Sequence, residues 1–162
     1  MVKTVVTTLI YQEISEIDMQ IKRICFPVKV LGPGNRIGIW TIGCRFNCKN
    51  CMSPELQRFV PENEINVDLI MSEINKISSQ IDGFTISGGE PFEQPEELCL
   101  LVTEINKKYG NDIIIYSGYT IEELHKKQDN RIEKVLASIS VLIDGRYIEE
   151  LNDEIGLRGS SN

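Results

Sequence analysis

Histidine is almost missing from this sequence: the chain has one in 162 residues, His125. A structural zinc site would therefore have to close on cysteine or on that single imidazole. Long apolar runs are missing as well, since none approaches the roughly 20 residues that a membrane-spanning helix needs. The apolar stretch Val5 to Ile10 is short and runs on into acids, which is not a signal-peptide pattern. Positive charge is scarce: 17 Lys+Arg against 24 Asp+Glu leave a net charge of −7. No basic cluster stands out, which argues against a nucleic-acid backbone as the main partner. An even set of cysteines is lacking too. The count is five, and a secreted disulfide framework needs pairs. What remains is an ordinary globular balance, 41% hydrophobic and 25% charged, which excludes disorder and fibres. The expectation is one soluble, cytoplasmic domain with a real core.

Periodicity and punctuation outline the elements. β-Branched runs occupy Val5–Ile10 and Ile24–Leu31, and Gly32-Pro33-Gly34 makes a turn. Arg36–Thr41 alternates as a strand and leads straight into a cysteine-rich loop. From Asn66 to Ser79, Val67, Ile70, Met71, Ile74 and Ile77 recur at helical spacing. Phe84–Ile86 is a short strand ending in Ser87-Gly88-Gly89-Glu90-Pro91. Pro95 suits the first turn of a second helix, with Leu98, Leu101, Val102 and Ile105 on one face. Asp112–Tyr116 and Ser138–Ile143 read as apolar strands of the buried parallel type. Between them, Thr120 and Glu123 have capping-box spacing for a short third helix. This alternation predicts an α/β fold with parallel strands. It places the cysteine loop, the Gly-Gly-Glu turn, Ser117-Gly118 and Asp144-Gly145 each after the C-terminal end of a strand. Parallel sheets and barrels bind ligands at that edge.

The loop reads Gly43-Cys44-Arg45-Phe46-Asn47-Cys48-Lys49-Asn50-Cys51. Three thiolates this close can hold three corners of one cubane iron–sulfur cluster, because each iron takes a soft anionic ligand. The fourth corner then stays open, as a reactive metal site requires. Cys25, Cys99 or His125 could in principle close the set into a zinc centre or a closed electron-transfer cluster. But His125 sits on a polar helix, Cys99 beside an apolar helix face and Cys25 in an apolar stretch. Cysteines so placed are ordinarily core residues.

CxxxCxxC after one strand and Gly-Gly-Glu-Pro after the next resemble the radical S-adenosylmethionine superfamily. Further segments narrow the resemblance: Gly32-Pro33-Gly34-Asn35-Arg36, Trp40 to Cys44, Tyr116 to Thr120, Leu142 to Gly145, and Arg158 to Asn162. They resemble the glycyl-radical-enzyme activases, in particular those of anaerobic ribonucleotide reductase. The resemblance covers roughly residues 30–162 and leaves 1–29 as an N-terminal extension of a single domain, 1–162. It implies a partial, short (β/α) barrel with an open mouth. It implies that Cys44, Cys48 and Cys51 ligate a [4Fe–4S] cluster and that S-adenosylmethionine chelates the remaining iron. Gly88, Gly89 and Glu90 would receive the methionyl amino group. Ser117 matches a strand end that in relatives often faces the ribose, and Asp144 an acidic strand end that in some activases helps bind a cation near the methionyl carboxylate; both can equally be turn residues. Arg36 reads as structural.

By the same resemblance, a flavodoxin or ferredoxin would supply an electron and S-adenosylmethionine would be cleaved reductively. A hydrogen would then leave the Cα of a glycine in a partner glycyl-radical enzyme. No catalytic side chain is implied beyond the cluster and cofactor. A compact enzyme acting on a small molecule or another peptide, like 7-carboxy-7-deazaguanine synthase, is the alternative. A non-catalytic iron–sulfur or zinc module has no use for the Gly-Gly-Glu turn. Three places depart from the family pattern: Asn50 stands where an aromatic residue often precedes the third cysteine, Met52-Ser53-Pro54 where an aromatic or histidine and then Asn-Pro often follow it, and Leu31 where an acid often precedes Gly-Pro-Gly.

Overall fold

The computed structural model describes residues 17–161 apart from 78, 79, 153, 154, 156 and 158. The β-branched run Val5–Ile10 lies outside the described residues, as do Arg158 and Asn162 of the terminal motif. Strand β1 (Asp18–Val28) turns through Gly32-Pro33-Gly34 into β2 (Arg36–Thr41), and β3 (Glu64–Asn66) leads into helix α1 (Val67–Asn75). Then come β4 (Gly83–Gly88), α2 (Pro95–Tyr109), β5 (Ile113–Tyr116), α3 (Ile121–Lys126), α4 (Asn130–Leu136) and β6 (Val141–Ile143).

These strands form one six-stranded sheet in the order β3-β1-β2-β4-β5-β6. Strands β2, β4, β5 and β6 run parallel, as the alternation of elements predicts. Strand β1 is antiparallel to both β2 and β3, so the sheet is mixed, a feature that the expectation of parallel strands does not include. For β1 and β2 the reason is chain length: a parallel return needs a crossover of about a dozen residues or more, and the glycine turn permits only a hairpin. The sheet is open, with β3 and β6 as its edges.

Register decides what is inside. Ile37 stands opposite Phe84, which stands opposite Ile113; Ile39, Ile86 and Ile115 make the next row. Side chains alternate across a strand, so these rows share a face. They build one core with Ile70 and Ile74 of α1, Leu98 and Leu101 of α2, and Ile132 and Val135 of α4. Helix α1 ends at Asn75, short of the expected Ser79. Helix α4 has no counterpart in the sequence reading, although Asp129 marks its start by accepting from the Arg131 amide at 2.9 Å. The last strand shrinks to Val141–Ile143 and is not buried: it is an edge, and Val141 is 43% exposed. Among the described residues, no helix is long and apolar enough to cross a membrane.

Arg36 is fully buried. Its Nε donates to Thr85 Oγ1 at 2.8 Å and its Nη2 to the Phe84 carbonyl at 2.6 Å. The same Nη2 reaches the carbonyl and carboxylate oxygens of Asp112 at 3.0 and 2.9 Å. One guanidinium thus ties together the N-terminal ends of β2, β4 and β5. Its several fixed donors are what make burial of the charge tolerable. Glycines leave it room: a Cβ at Gly32 would stand 2.7 Å from Arg36 Cδ, and one at Gly83 2.6 Å from Nη1. The Gly-Pro-Gly-x-Arg motif is therefore a folding device at the end of the sheet opposite the cysteine loop.

Arg36→Met should cost about 3 kcal/mol, because it leaves buried acceptors without a donor. Asp112→Asn, at a side chain 57% exposed, should cost under about 1 kcal/mol. Urea unfolding of the iron-free protein reads the contrast, and equal costs would remove Arg36 from this role.

Candidate functional site

Four strand ends meet at one edge, and the tightest junction there is backbone on backbone. The Gly89 amide donates to the Thr41 carbonyl at 3.0 Å, and the Glu90 amide to the Gly43 carbonyl at 2.8 Å. A Cβ on Gly89 would lie 2.4 Å from the Gly43 oxygen and 2.8 Å from the Leu56 oxygen. Gly88 has φ +117°, and its Cβ would meet the Thr41 carbonyl oxygen at 2.4 Å. Both positions demand glycine, because the root of the cysteine loop occupies the space a side chain would need.

The loop folds back on the turn Pro54–Leu56: the Gly43 amide donates to Leu56 and the Cys44 amide to Gln57, each at 2.8 Å. Cys51 Sγ accepts from the Ser53 amide at 3.4 Å. Asn47 (φ +50°) and Asn50 (φ +53°) each directly precede a cysteine and are left-handed. Asparagine visits that region more readily than an aromatic residue does, so Asn50 suits the backbone it occupies.

All five cysteines are free, and Cys44, Cys48 and Cys51 are half-buried. Burial pushes the Cys44 thiol up, against a backbone hydrogen bond at Phe46; the charges of Glu90, Cys48 and Cys51 act with burial. Cys25 stands opposite Gly38 in the β1–β2 pair, Cys99 packs against the core, and His125 Nδ1 meets Glu133 at 2.8 Å. Among the described residues, no three His, Cys, Asp or Glu side chains are grouped to hold a single metal ion. Three soft donors on one loop, with Cys25 on β1 and Cys99 on α2, are a donor set whose chemistry suits an iron–sulfur cluster.

Glu90 is 1% exposed. Its Oε1 accepts from the Phe92 amide at 3.0 Å and from Ser117 Oγ at 2.9 Å; its Oε2 accepts from the Gly118 amide at 2.6 Å. This carboxylate joins the end of β4 to the end of β5. Burial outweighs the three hydrogen bonds and pushes the carboxyl up to about 7. Ser117 is also a turn hydroxyl, its Oγ accepting from the Tyr119 amide at 3.0 Å. Asp144 does not join this network: its Oδ2 accepts from the Ile121 amide at 2.7 Å and holds the first turn of α3.

Two further residues matter here, and only slight sequence signals mark them. Gln94, between the Gly-Gly-Glu turn and Pro95, accepts from the Gln20 amide at 2.6 Å and donates to the Gln20 and Ile42 carbonyls at 3.1 and 3.2 Å. It fastens β1 and the end of β2 to the start of α2. Phe46, inside the cysteine motif, lines a pocket of about 450 Å³ with Cys48, Gly118, Thr120, Gly145 and Tyr147. That volume suits a small molecule. Its far wall is tied to the cysteine loop, Asn50 donating to Glu149 at 2.5 Å and Lys49 Nζ lying 3.6 Å from Glu150.

Gly89→Ala should destabilise the iron-free protein by about 1–3 kcal/mol, the usual cost of forcing atoms into a filled space. Thermal unfolding checks it, and a variant as stable as its parent would mean that the two backbones do not touch.

The family model described as a 4Fe-4S single cluster domain matches residues 30–162. The chain is 30% identical over 145 residues to the anaerobic ribonucleoside-triphosphate reductase-activating protein of Escherichia coli, spanning 85% of this chain and 92% of that one. It is 31% identical over 148 residues to the protein of the same name from Salmonella typhi, with the same coverage. Similarity extends to the pyruvate formate-lyase-activating enzyme of Staphylococcus aureus, 29% over 137 residues, or 81% of this chain and 54% of that one. With its cysteine loop and Gly-Gly-Glu turn on one sheet edge, the chain belongs to the radical S-adenosylmethionine activating enzymes, whose cofactors are a [4Fe–4S] cluster and S-adenosylmethionine.

Proposed function

We propose that Cys44, Cys48 and Cys51 hold the cluster and that this chain activates an anaerobic ribonucleotide reductase by removing a hydrogen from the Cα of one of its glycines. The observation that carries the reading is the docking of Gly88–Glu90 on Thr41–Gly43. It brings a side-chain-free stretch of backbone to the root of the loop that bears the three thiols. Gly88 and Gly89 put no side chain in the way of an ammonium group, and a cation there would favour the charged form of the Glu90 carboxyl, which burial alone pushes up to about 7. The pocket beside Phe46 and Gly118 fits the nucleoside end of S-adenosylmethionine. Gly118 and Gly145, just after the ends of β5 and β6, line it, while their chain neighbours Ser117 and Asp144 do not. When bound, cluster and S-adenosylmethionine together supply a one-electron reductive cleavage that generates the hydrogen-abstracting species. The protein's own part is to position and shield.

The sheet is an opened portion of a (β/α) barrel on this reading. Its helices join one core on one face, while Trp40, Ser87 and Tyr116 stand half-buried on the other. An open face of this kind suits a protein segment as substrate. The relatives named for ribonucleoside-triphosphate reductase activation align over most of the chain, which favours that enzyme as partner. A flavodoxin or ferredoxin is the electron donor we assign. Five free thiols accord with the reducing cytoplasm.

Anaerobic reconstitution should give about four irons per chain. Alanine at Cys44, Cys48 or Cys51 should abolish cluster binding, and alanine at Cys25 or Cys99 should not; a requirement for either outer cysteine would contradict the open corner. Incubation with the reductase of the same cell, reductant and S-adenosylmethionine should produce a glycyl-radical doublet by electron paramagnetic resonance (EPR). Accumulation of deoxyadenosine without that doublet would overturn the assignment of the partner.

A further inference from the structure

Glu93 lies one short turn beyond Glu90, in the segment Pro91–Glu93, and its side chain is only 4% exposed. Two groups from different parts of the chain converge on its carboxylate. Arg45 Nε, from between the first two cysteines, lies 3.1 Å from Oε2. Tyr119 OH, from the turn after β5, donates to Oε1 at 2.6 Å. The residue after Arg45 adds a second hold: the Phe46 ring meets the Tyr119 ring edge-on at 4.6 Å. The Arg146 guanidinium covers Phe46 at 4.5 Å, and Lys127 Nζ stands 3.9 Å from the centre of the Tyr119 ring. Burial and the Glu93 hydrogen bond push the Tyr119 phenol up, so it stays a donor.

An exposed ion pair is worth little. Here the acid is buried, a second donor fixes it from the opposite side, and the Arg45 backbone belongs to the cysteine loop. We propose that Glu93 is a positioning residue that, through Arg45 and Tyr119, sets where the Cys44–Cys48 segment sits relative to the cofactor-binding edge. This rests on the reading of Cys44, Cys48 and Cys51 as cluster ligands. Groups that orient metal ligands from behind typically change affinity or activity about 10–100-fold when removed. The pair also places a balanced charge beside the cluster, where uncompensated charge moves the reduction potential.

The charge balance yields a test with a sign. Glu93→Gln keeps an acceptor for Tyr119 but leaves the Arg45 charge unbalanced, so the cluster should become easier to reduce. Arg45→Met leaves the buried carboxylate unbalanced, so the cluster should become harder to reduce. Both should bind S-adenosylmethionine about tenfold more weakly, read from the titration of the reduced EPR signal. Arg45→Lys should return the potential toward the parent value. In iron-free protein, amide hydrogen exchange over residues 44–48 should quicken in both variants. The Arg45 side chain is 77% exposed, so its replacement removes little packing, and Tyr119 still donates to the Glu93 carboxylate.

If both variants carry four irons yet keep the parent potential, affinity and exchange rates, the positioning role is wrong. Shifts of the same sign in both would mean general loosening and would also overturn it. A parent protein that takes no cluster, or whose signal ignores S-adenosylmethionine, would instead sink the cluster reading itself, a result the variants cannot mimic.

Discussion

Two backbones in contact set the terms for the rest of the site. The approach of Gly88–Glu90 to Thr41–Gly43 fixes the cysteine loop against the neighbouring strand end without any side chain between them. Parallel register makes that approach possible, since Thr41 and Gly88 are the last paired residues of β2 and β4. The loop, the glycine turn and the end of β5 then form one unit, because the Glu90 carboxylate also holds Ser117 and Gly118. Moving any one of them moves a wall of the site.

Buried polar groups divide the labour between the two ends of the sheet. At the N-terminal end, Arg36 joins three strands through a set of hydrogen bonds that contributes to folding and touches no part of the cysteine loop. At the C-terminal end, Glu90 and Glu93 are buried acids with hydrogen-bond donors drawn from other loops. Buried carboxylates cost free energy unless they are paired. Their presence at this edge, where apolar residues would pack more cheaply, is consistent with a demand on loop position rather than on stability alone.

Much of this was legible in the sequence, and the gaps have physical causes. Strand Arg36–Thr41 and the helix starting at Pro95 were visible because alternation and a proline-led apolar stripe are local signals. So was the Thr120–Glu123 capping box, whose two reciprocal hydrogen bonds both form. The antiparallel β1 was missed because strand direction depends on connection length rather than on composition. Val141–Ile143 looked buried because its residues are apolar, but the strand is an edge with one neighbour. At the site, residue types and spacing marked the three cysteines and the Gly-Gly-Glu turn. Glu93 is silent and Gln94 nearly so, because a single polar residue carries no period and its partner lies tens of residues away.

The central claim is that the three cysteines hold a cluster whose fourth iron is left for S-adenosylmethionine. It is tested most directly by electron–nuclear double resonance on the reduced protein, with isotopic label in the amino nitrogen or the carboxylate oxygen of S-adenosylmethionine. Magnetic coupling from both labels to the cluster is the expected result. A full cluster whose spectrum shows no coupling from either label would mean that the fourth iron is closed, and would contradict the account.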